Sequence, residues 1–179
     1  TYTQFEIGTP EMDGTWDIRE NAALSVSVNV KNIGGRYGCQ VVQLYMGLSN
    51  PRIPMPKKEL KAFAKVYLEP GQAQTVILRV QREDLEIFDP ERGLLIPVGE
   101  YTVMIGENSA DLPYCRALRV LGKNPYAMDE NTTLGELLDH PQATALMEKY
   151  APGFSTSLGD HLKLMSNEKI GPLLSRQMI

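Results

Sequence analysis

Apolar and polar residues alternate without interruption from residue 22 to residue 31, and this pattern restricts the fold more than any other feature of the sequence. Leu24, Val26, Val28 and Val30 fall on one side of the alternation, and the intervening positions hold serine, asparagine and lysine. A period of two residues is that of a β-strand with one face buried and the other in water. The stretch therefore predicts a half-buried strand.

Shorter stretches with the same period follow along the chain, and turn signals separate them. The further predicted strands are Phe5–Ile7, Val41–Met46, Leu60–Leu68, Val76–Val80, Tyr101–Ile105 and Tyr114–Leu121. The predicted turns, rich in glycine, proline, asparagine and aspartate, are Asn32–Gly35, Pro70-Gly71 and Asp89–Gly93. About seven or eight short strands with no helical stretch between them are typical of an antiparallel β-sandwich.

Three prolines, Pro51, Pro54 and Pro56, lie between two of the predicted strands. Proline cannot donate a hydrogen bond to a sheet ladder, so these residues exclude a central strand there. They also fix φ and hold the link extended at a low entropic cost. We therefore predict that this link crosses from one sheet to the other. The strand after it alternates from Leu60 to Leu68, which predicts that Leu60 is buried with the apolar set.

Tyr101 lies just after a Pro-x-Gly bend in the segment PVGEYTVMI, residues 97–105. A tyrosine in this position, at the start of a strand, fits a tyrosine corner, in which the phenol bonds back to upstream backbone. The alternative interpretation is a tyrosine present for its β-propensity alone.

The two-residue alternation ends at Gly122, and a helical pattern follows. Thr133 and Glu136 form a capping-box pattern, and Pro141 fits a first helical position. A helical face then recurs at Ala143, Leu146, Met147 and Tyr150. We predict a β-sandwich over residues 1–122 and a small all-α tail over residues 123–179. Such a tail either docks or dimerises, or it covers an exposed face of the sandwich.

Composition and charge exclude several classes of partner. The chain has 179 residues, 42% of them hydrophobic, a net charge of −4 and a pI near 5.3. These values argue against nucleic acid or an anionic membrane as the main partner, and no apolar run approaches a membrane span.

The first residues, TYTQFEIGT, read as the middle of a longer chain or a processed product. The sequence therefore does not determine the cellular compartment, and a cytoplasmic location is slightly favoured over secretion. Cys39 and Cys115 are interpreted as two small buried thiols, with a disulfide as the alternative.

Several groups of polar residues have the composition of a site but are better explained by structural roles. The acidic residues Asp84, Glu86, Asp89 and Glu91 flank a turn, where such side chains support the backbone. His140 and His161 are the only histidines, and no acidic residue or cysteine has a convincing ligand spacing with either. We predict no catalytic, cofactor-binding or metal-binding residue in this chain.

Three further features have a simple structural interpretation beside a functional one. Trp16, the sole tryptophan, is interpreted as a loop anchor rather than a platform for sugar stacking. Lys57 and Lys58 are interpreted as a solvated edge. Asn131 begins a glycosylation sequon, but Thr133 within it is already assigned as a helix cap.

The order of motifs resembles a known domain. VVQLY, a proline-bearing loop, KELKAFAKVYLEPGQAQTV, the turn around IFD, and PVGEYTVMIGENS together resemble the C-terminal fibronectin type III-like domain of glycoside hydrolase family 3. The resemblance covers about residues 1–121. It implies a fibronectin type III/immunoglobulin-like antiparallel sandwich from a β-glucosidase-like enzyme.

The resemblance also implies what this chain does not contain. In that family the nucleophilic aspartate lies in an N-terminal barrel, and the acid/base carboxylate usually lies in a middle α/β domain. Both precede the domain resembled here, so the chain alone is expected to be non-catalytic and the parent to hydrolyse terminal β-linked sugars. Expected partners are the preceding catalytic domains, with a possible homodimer through the tail. The loop Asn50–Lys58 is a candidate for contact with another domain or the substrate entrance.

The alternative function comes from a different class. A free-standing β-sandwich could bind protein or carbohydrate as an independent module. Sugar-binding modules usually display several aromatic side chains in a row. The single tryptophan of this chain makes that alternative the weaker one.

Overall fold

The computed structural model describes residues 3–90 and 92–127, together with positions 132, 133, 135, 137, 143 and 149. The chain divides into two compact units, Thr1–Pro125 and Tyr126–Ile179. In the second unit, the Leu137 N–H donates a hydrogen bond to the Thr133 carbonyl at 3.1 Å. The other features predicted for the tail lie mostly outside the described residues, so the helical tail and the boundary at residue 122 stay predictions.

Ten strands are present in the described part of the first unit. They are β1 (Phe5–Ile7), β2 (Thr15–Asp17), β3 (Ala23–Asn32), β4 (Gly38–Leu48), β5 (Glu59–Leu68), β6 (Ala73–Gln81), β7 (Ile87–Asp89), β8 (Gly93–Leu95), β9 (Gly99–Gly106) and β10 (Tyr114–Leu121). A short 3-10 turn, Arg82–Leu85, follows β6. The mainly β prediction is confirmed for this part of the chain.

The strands form two large sheets and a small hairpin. One sheet has the order β1-β3-β6, the other has the order β2-β10-β9-β4-β5, and β7 pairs with β8. Neighbouring strands are antiparallel except for β2 and β10, which are parallel. Inward-facing residues of both large sheets belong to one hydrophobic cluster, so the two sheets make a sandwich.

The alternating sets predicted from the sequence form this core. Leu24, Val26, Val28 and Val30 of β3 are between 0% and 4% exposed. Their partners across the sheet on β6 include Leu78, which pairs with Val26. Because side chains alternate across a strand, the apolar period fixes which face of each strand is buried.

The predicted crossover through the proline loop is wrong. β4 and β5 are antiparallel neighbours in the same sheet, and their ladder ends where Met46 pairs with Glu59. The prolines lie beyond this last pair, where no ladder hydrogen bond is required, so they are compatible with a connection within one sheet. The chain changes sheets instead between β3 and β4 and at the turn between β5 and β6. Gly71 in that second turn has φ +76°, which glycine adopts without strain.

The prediction that Leu60 is buried is also wrong. A register shift lies between Leu44 and Tyr45, so that Leu44 pairs with Ala62 while Tyr45 pairs with Leu60. The extra residue on β5 is Lys61, and it reverses the alternation at this point. As a result Leu60 is 48% exposed, whereas Val66 and Leu68 remain buried.

Asn32 is a fully buried polar residue at the end of β3. Its side-chain Nδ2 donates to the carbonyls of Arg36 at 2.8 Å and Leu68 at 2.9 Å. Its Oδ1 accepts hydrogen bonds from the Gly34 N–H and the Thr3 hydroxyl, both at 3.0 Å. Both N–H groups of the carboxamide thus donate a hydrogen bond, and its oxygen accepts two.

Backbone bonds of Asn32 complete the same junction. Its N–H donates to the Gln72 carbonyl, and its own carbonyl accepts from the Gly71 N–H, both at 2.9 Å. The N-terminal segment crosses here as well, since a Cβ added to Gly34 would lie 2.7 Å from the backbone nitrogen of Gln4. One residue therefore connects the N-terminal segment, the two inter-sheet turns that flank the β4–β5 pair, and the end of β5.

The tyrosine corner is confirmed. The Tyr101 hydroxyl donates a hydrogen bond to the Pro97 carbonyl at 2.9 Å, and Tyr101 is 4% exposed. Gly99 between them has φ +136°, a value that other residues rarely adopt. The bend and the phenol together fix the start of β9.

We expect Asn32→Ala to lower the free energy of unfolding by about 2–4 kcal/mol, because it removes four side-chain hydrogen bonds, among them the buried one to the Leu68 carbonyl. Urea denaturation of this chain measures the loss. Asn29→Ala is the matched control on the same strand, since Asn29 is exposed and makes only a 3.4 Å contact with Thr75. The control should change stability by about 0.5 kcal/mol or less. Equal losses of unfolding free energy in the two variants would contradict the stabilising role of the Asn32 side chain.

Candidate functional site

The carboxylates singled out in the sequence support turns. The Asp84 carboxylate accepts a hydrogen bond from the Gln81 N–H at 2.7 Å and so caps the 3-10 turn. The Asp89 carboxylate, on a residue only 3% exposed, accepts from the Arg92 N–H at 3.1 Å within the β7–β8 hairpin. Both contacts are of the local kind that aspartate makes at turns.

The remaining candidate residues do not gather at one place in the described structure. Glu86 is exposed next to the 3-10 turn. Glu91, His140, His161 and Asn131 lie outside the described residues, so the interpretations given to them stay predictions. Among the residues that the structure does describe, no group of three or more histidine, cysteine, aspartate or glutamate side chains is placed to hold a metal ion.

Two surface carboxylates have altered acidity. A bidentate hydrogen bond from Arg19 lowers the pKa of Asp17 to about 2. Arg82 likewise lowers the pKa of Glu83, chiefly through its side-chain hydrogen bond. A general acid for glycoside hydrolysis requires a shift in the opposite direction, since it must hold its proton near neutral pH. These two carboxylates are therefore unsuited to that role.

Trp16 is a core residue. It is 2% exposed on β2, and its indole Nε1 donates a hydrogen bond to the Asn21 carbonyl at 2.8 Å. Stacking of a sugar requires an open aromatic face, so the alternative of a sugar platform at Trp16 is wrong. The anchoring interpretation is confirmed, because the bond holds the segment after β2 against the core.

The cysteines are both free thiols. Cys39, on β4, pairs with Tyr67 of β5, whereas Cys115, on β10, pairs with Met104 of β9. The disulfide alternative therefore does not apply. The prediction of two buried thiols is wrong in part, since Cys39 is half-buried and Cys115 is exposed.

The proline loop is held against the sandwich at its C-terminal end. A Cβ added to Gly47 would lie 2.1 Å from the Lys57 carbonyl oxygen, so the loop backbone contacts β4 directly. Lys58, predicted as part of a solvated edge, donates from Nζ to the Ser109 carbonyl and lies 5.8 Å from the centre of the Tyr45 ring. These contacts give the loop a defined position.

A small cavity lies between this loop and the sandwich. Met46, Met55, Pro56, Lys61 and Leu85 are among its lining residues, and its accessible volume is about 10 Å³. That volume holds about one water molecule. It is far below the roughly 300–1,000 Å³ of ordinary ligand pockets, so this cavity cannot accommodate a sugar ring.

The outer faces of the two large sheets differ in chemistry. The three-stranded sheet presents mainly polar side chains; those exposed on β3 and β6 include Ser25, Asn29, Lys31, Thr75, Arg79 and Gln81, with Ala73 and Ile77 as apolar exceptions. The five-stranded sheet presents larger and less polar side chains on β4 and β5, namely Cys39, Val41, Gln43, Tyr45, Leu60, Phe63, Lys65 and Tyr67. The β4–β5 part of this face resembles a protein interface in composition.

An exposed group of large side chains follows the edge strand of that sheet. We call Tyr37, Leu60, Phe63 and Tyr67 the aromatic strip; their exposed fractions are 58%, 48%, 68% and 53%. Leu60, Phe63 and Tyr67 lie opposite the outward residues of β4, and so they share one face. The Tyr37 and Tyr67 rings stack at 6.4 Å between centroids with an interplanar angle of 17°.

The alternation from Leu60 to Leu68 puts Phe63 and Tyr67 on the side opposite the apolar set, but it does not identify the strip. The available signal was the predominance of large or apolar residues at the outward positions of two consecutive strands, where Gln43 and Lys65 are the polar exceptions. Tyr37 lies in a turn, and its contact with Tyr67 joins residues 30 positions apart. Only the register of β4 against β5 shows that contact.

Comparison with known proteins agrees with this geometry. Residues 40–109 match the family described as fibronectin type III-like domain. The chain is 41% identical over 114 residues to a β-glucosidase from Rhizobium radiobacter, a match that covers 62% of this chain and 13% of the relative.

Two further relatives extend the comparison. A β-xylosidase from Formosa agariphila is 33% identical over 109 residues, which are 61% of this chain and 15% of that protein. The solved structure of DesR, a β-glucosidase from Streptomyces venezuelae in complex with D-glucose, aligns with a TM-score of 0.61 and 34% identity. That alignment covers 67% of this chain and 15% of DesR.

The chain spans about one seventh of the length of the curated relatives it matches. The predicted resemblance to the fibronectin type III-like domain of β-glucosidase-like enzymes is thereby confirmed. The matched part corresponds to a small domain of a larger glycosidase in those proteins. Within the described residues, no helix is long and apolar enough to cross a membrane.

Gly47→Ala should destabilise the domain and displace the proline loop, because the new Cβ collides with backbone rather than with a flexible side chain. We expect a loss of about 1–3 kcal/mol in urea denaturation and faster proteolysis within residues 50–58. Gly35→Ala is the control, since a Cβ there has no atom within 4 Å. Unchanged proteolysis of the loop in Gly47→Ala would show that the loop does not depend on this contact.

Proposed function

We propose that this chain is a non-catalytic accessory domain of a family 3 glycoside hydrolase of the β-glucosidase type. It supports the packing and stability of the catalytic domains or shapes one rim of the active-site entrance. The parent enzyme hydrolyses terminal β-linked sugars. The observation that carries the proposal is the match of a fibronectin type III-like domain to about one seventh of much longer glycosidases.

The range of relatives supports a role that is independent of the sugar. One relative bears the name β-glucosidase and another bears the name β-xylosidase, and the similarity covers nearly the same share of this chain in both. A domain common to both cannot depend on the hydroxymethyl group by which glucose differs from xylose. Packing and stability are contributions that such a domain can make to either enzyme.

The proline loop is the part of the domain that we assign to the rim. Three prolines limit its conformations, and the Lys57 carbonyl at Gly47 holds one end against β4. A loop of fixed shape can contact a substrate entrance without a large loss of entropy. Residues 123–179 complete the proposal as a short-helix appendage that docks, dimerises or covers an exposed face of the sandwich.

The alternative is a free-standing β-sandwich that binds protein or carbohydrate. The exposed aromatic strip favours this alternative more than the sequence did, because aromatic faces stack on sugars. It has less support than the accessory role, since the relatives with this domain are long glycosidases.

Deletion of residues 1–122 from the full-length polypeptide should destabilise the rest of the enzyme. We expect the half-life of glycosidase activity at elevated temperature to fall at least about tenfold, because the remaining domains lose an interface. The same polypeptide with Ile77→Ser is the control, since Ile77 is exposed on the polar sheet face. A deletion variant with unchanged activity and unchanged half-life would refute the accessory role.

Replacement of Asn50–Lys58 by glycine and serine tests the loop separately. If the loop shapes the rim, the ratio of kcat/KM for two substrates with different aglycones should change by at least about threefold, which is of the order of 0.7 kcal/mol. Measurement of both substrates on one preparation removes errors in enzyme concentration. Full stability together with an unaltered aglycone preference would contradict the loop assignment.

A further inference from the structure

We propose that the aromatic strip packs against the catalytic part that precedes residue 1 in the same polypeptide. This inference rests on the proposed accessory function and names the surface through which it acts. The catalytic part is the single occupant that we assign to the strip.

Exposure of the strip is the first argument. Its four large side chains are 48% to 68% exposed, whereas the outer face of the other sheet has mostly serine, asparagine, threonine and charged residues. Grouped apolar surface on one face of a soluble domain marks a contact site, and scattered single residues do not. Tyrosine and phenylalanine are also the side chains enriched at protein interfaces.

The position at which the chain enters the domain is the second argument. Thr3 bonds to Asn32, and its methyl carbon would lie 2.6 Å from a Cβ added to Gly38. Gly38 directly follows Tyr37 of the strip. Thr3 therefore lies near one end of the aromatic strip, and the roughly six sevenths of each relative outside the match provides ample material to cover it.

The arrangement of the rings is the third argument, and it favours protein over sugar. Tyr37 stacks on the Tyr67 ring, and the Lys65 ammonium lies 5.1 Å from the centre of the same ring. The side chain of Tyr67, as a hydrogen-bond partner, raises the pKa of Lys65. A pyranose needs an open aromatic face, whereas a protein surface can pack on ring edges and place a carboxylate or carbonyl near Lys65.

Charge also disfavours a second copy as the occupant. Lys65 lies within the strip, and Lys58 lies near its other end, 5.8 Å from the centre of the Tyr45 ring. A two-fold contact between two identical strips would bring these like charges toward one another. A different surface with acidic groups at its rim would complement them.

Thiol labelling of the full-length polypeptide tests the inference. Phe63→Cys and, in a separate variant, Tyr67→Cys are made in a background of Cys39→Ser and Cys115→Ser. Ile77→Cys in that background is the matched control, since Ile77 is 56% exposed on the other sheet. Labelling by a maleimide is followed by mass spectrometry of the peptide concerned, so that other cysteines do not interfere. Retained glycosidase activity shows that each variant is folded.

We expect residues 63 and 67 to react at least about tenfold more slowly than residue 77, because a buried thiol reacts only when the interface opens. Equal rates at all three positions would overturn the proposal. Protection that appears only when laminari- or cello-oligosaccharide is added would overturn it in favour of a sugar site. Protection that appears only at high protein concentration would overturn it in favour of a second copy.

The two proposals can fail separately. If deletion of residues 1–122 destabilises the enzyme while positions 63 and 67 label freely, the accessory function stands and the docking face is wrong. If the deletion has no effect on activity or its half-life, the accessory function itself fails. Protection at positions 63 and 67 would then indicate a contact that contributes nothing to the stability of the catalytic part.

Discussion

The buried carboxamide of Asn32 is the interaction on which the arrangement of the sandwich depends. A sandwich of this topology must change sheets between β3 and β4 and again between β5 and β6, and both turns meet at Asn32. Its side chain and backbone bond to Arg36, Leu68, Gly71 and Gln72. Hydrophobic burial holds the two sheets together without direction, whereas these directional bonds fix which ends of the strands adjoin. The hydrogen bond to Thr3 brings the N-terminal segment to the same place.

Local periodicity predicts local properties of this fold, and pairing over long distances determines the rest. The alternation in β3 predicted the buried face correctly because it reports a property of each residue in turn. The proline loop was assigned to a crossover because prolines exclude a strand but say nothing about which sheet the next strand joins. Leu60 was placed in the core because a bulge at Lys61 leaves no mark on the alternation itself. Asn32 looked like an ordinary turn residue, since its partners come from segments far apart in the sequence.

The same distinction applies to the candidate site. The resemblance of motifs predicted the domain type and the location of catalytic residues elsewhere in a parent enzyme. Trp16 was correctly interpreted as an anchor because a lone aromatic residue near a turn is usually held in the core. The aromatic strip depends on Tyr37, which reaches Tyr67 only through the register of β4 against β5. A one-residue slip in that register would turn Phe63 and Tyr67 toward the core, so their exposure is a consequence of the fold.

The aromatic strip lies on an edge strand, and this position links solubility to function. An exposed edge presents unpaired backbone groups to other chains. The first part of β5 is protected by the bulge and by Lys61, which is salt-bridged to Glu59 at 2.9 Å and donates to the Asp84 carbonyl at 2.6 Å. Inward-pointing charge of this kind disfavours pairing with another strand. The remainder of β5 has the exposed Tyr67 and Phe63, so a catalytic part packed on the strip would cover apolar side chains next to the less protected portion of the edge. Domain packing and protection from aggregation would then result from the same contact.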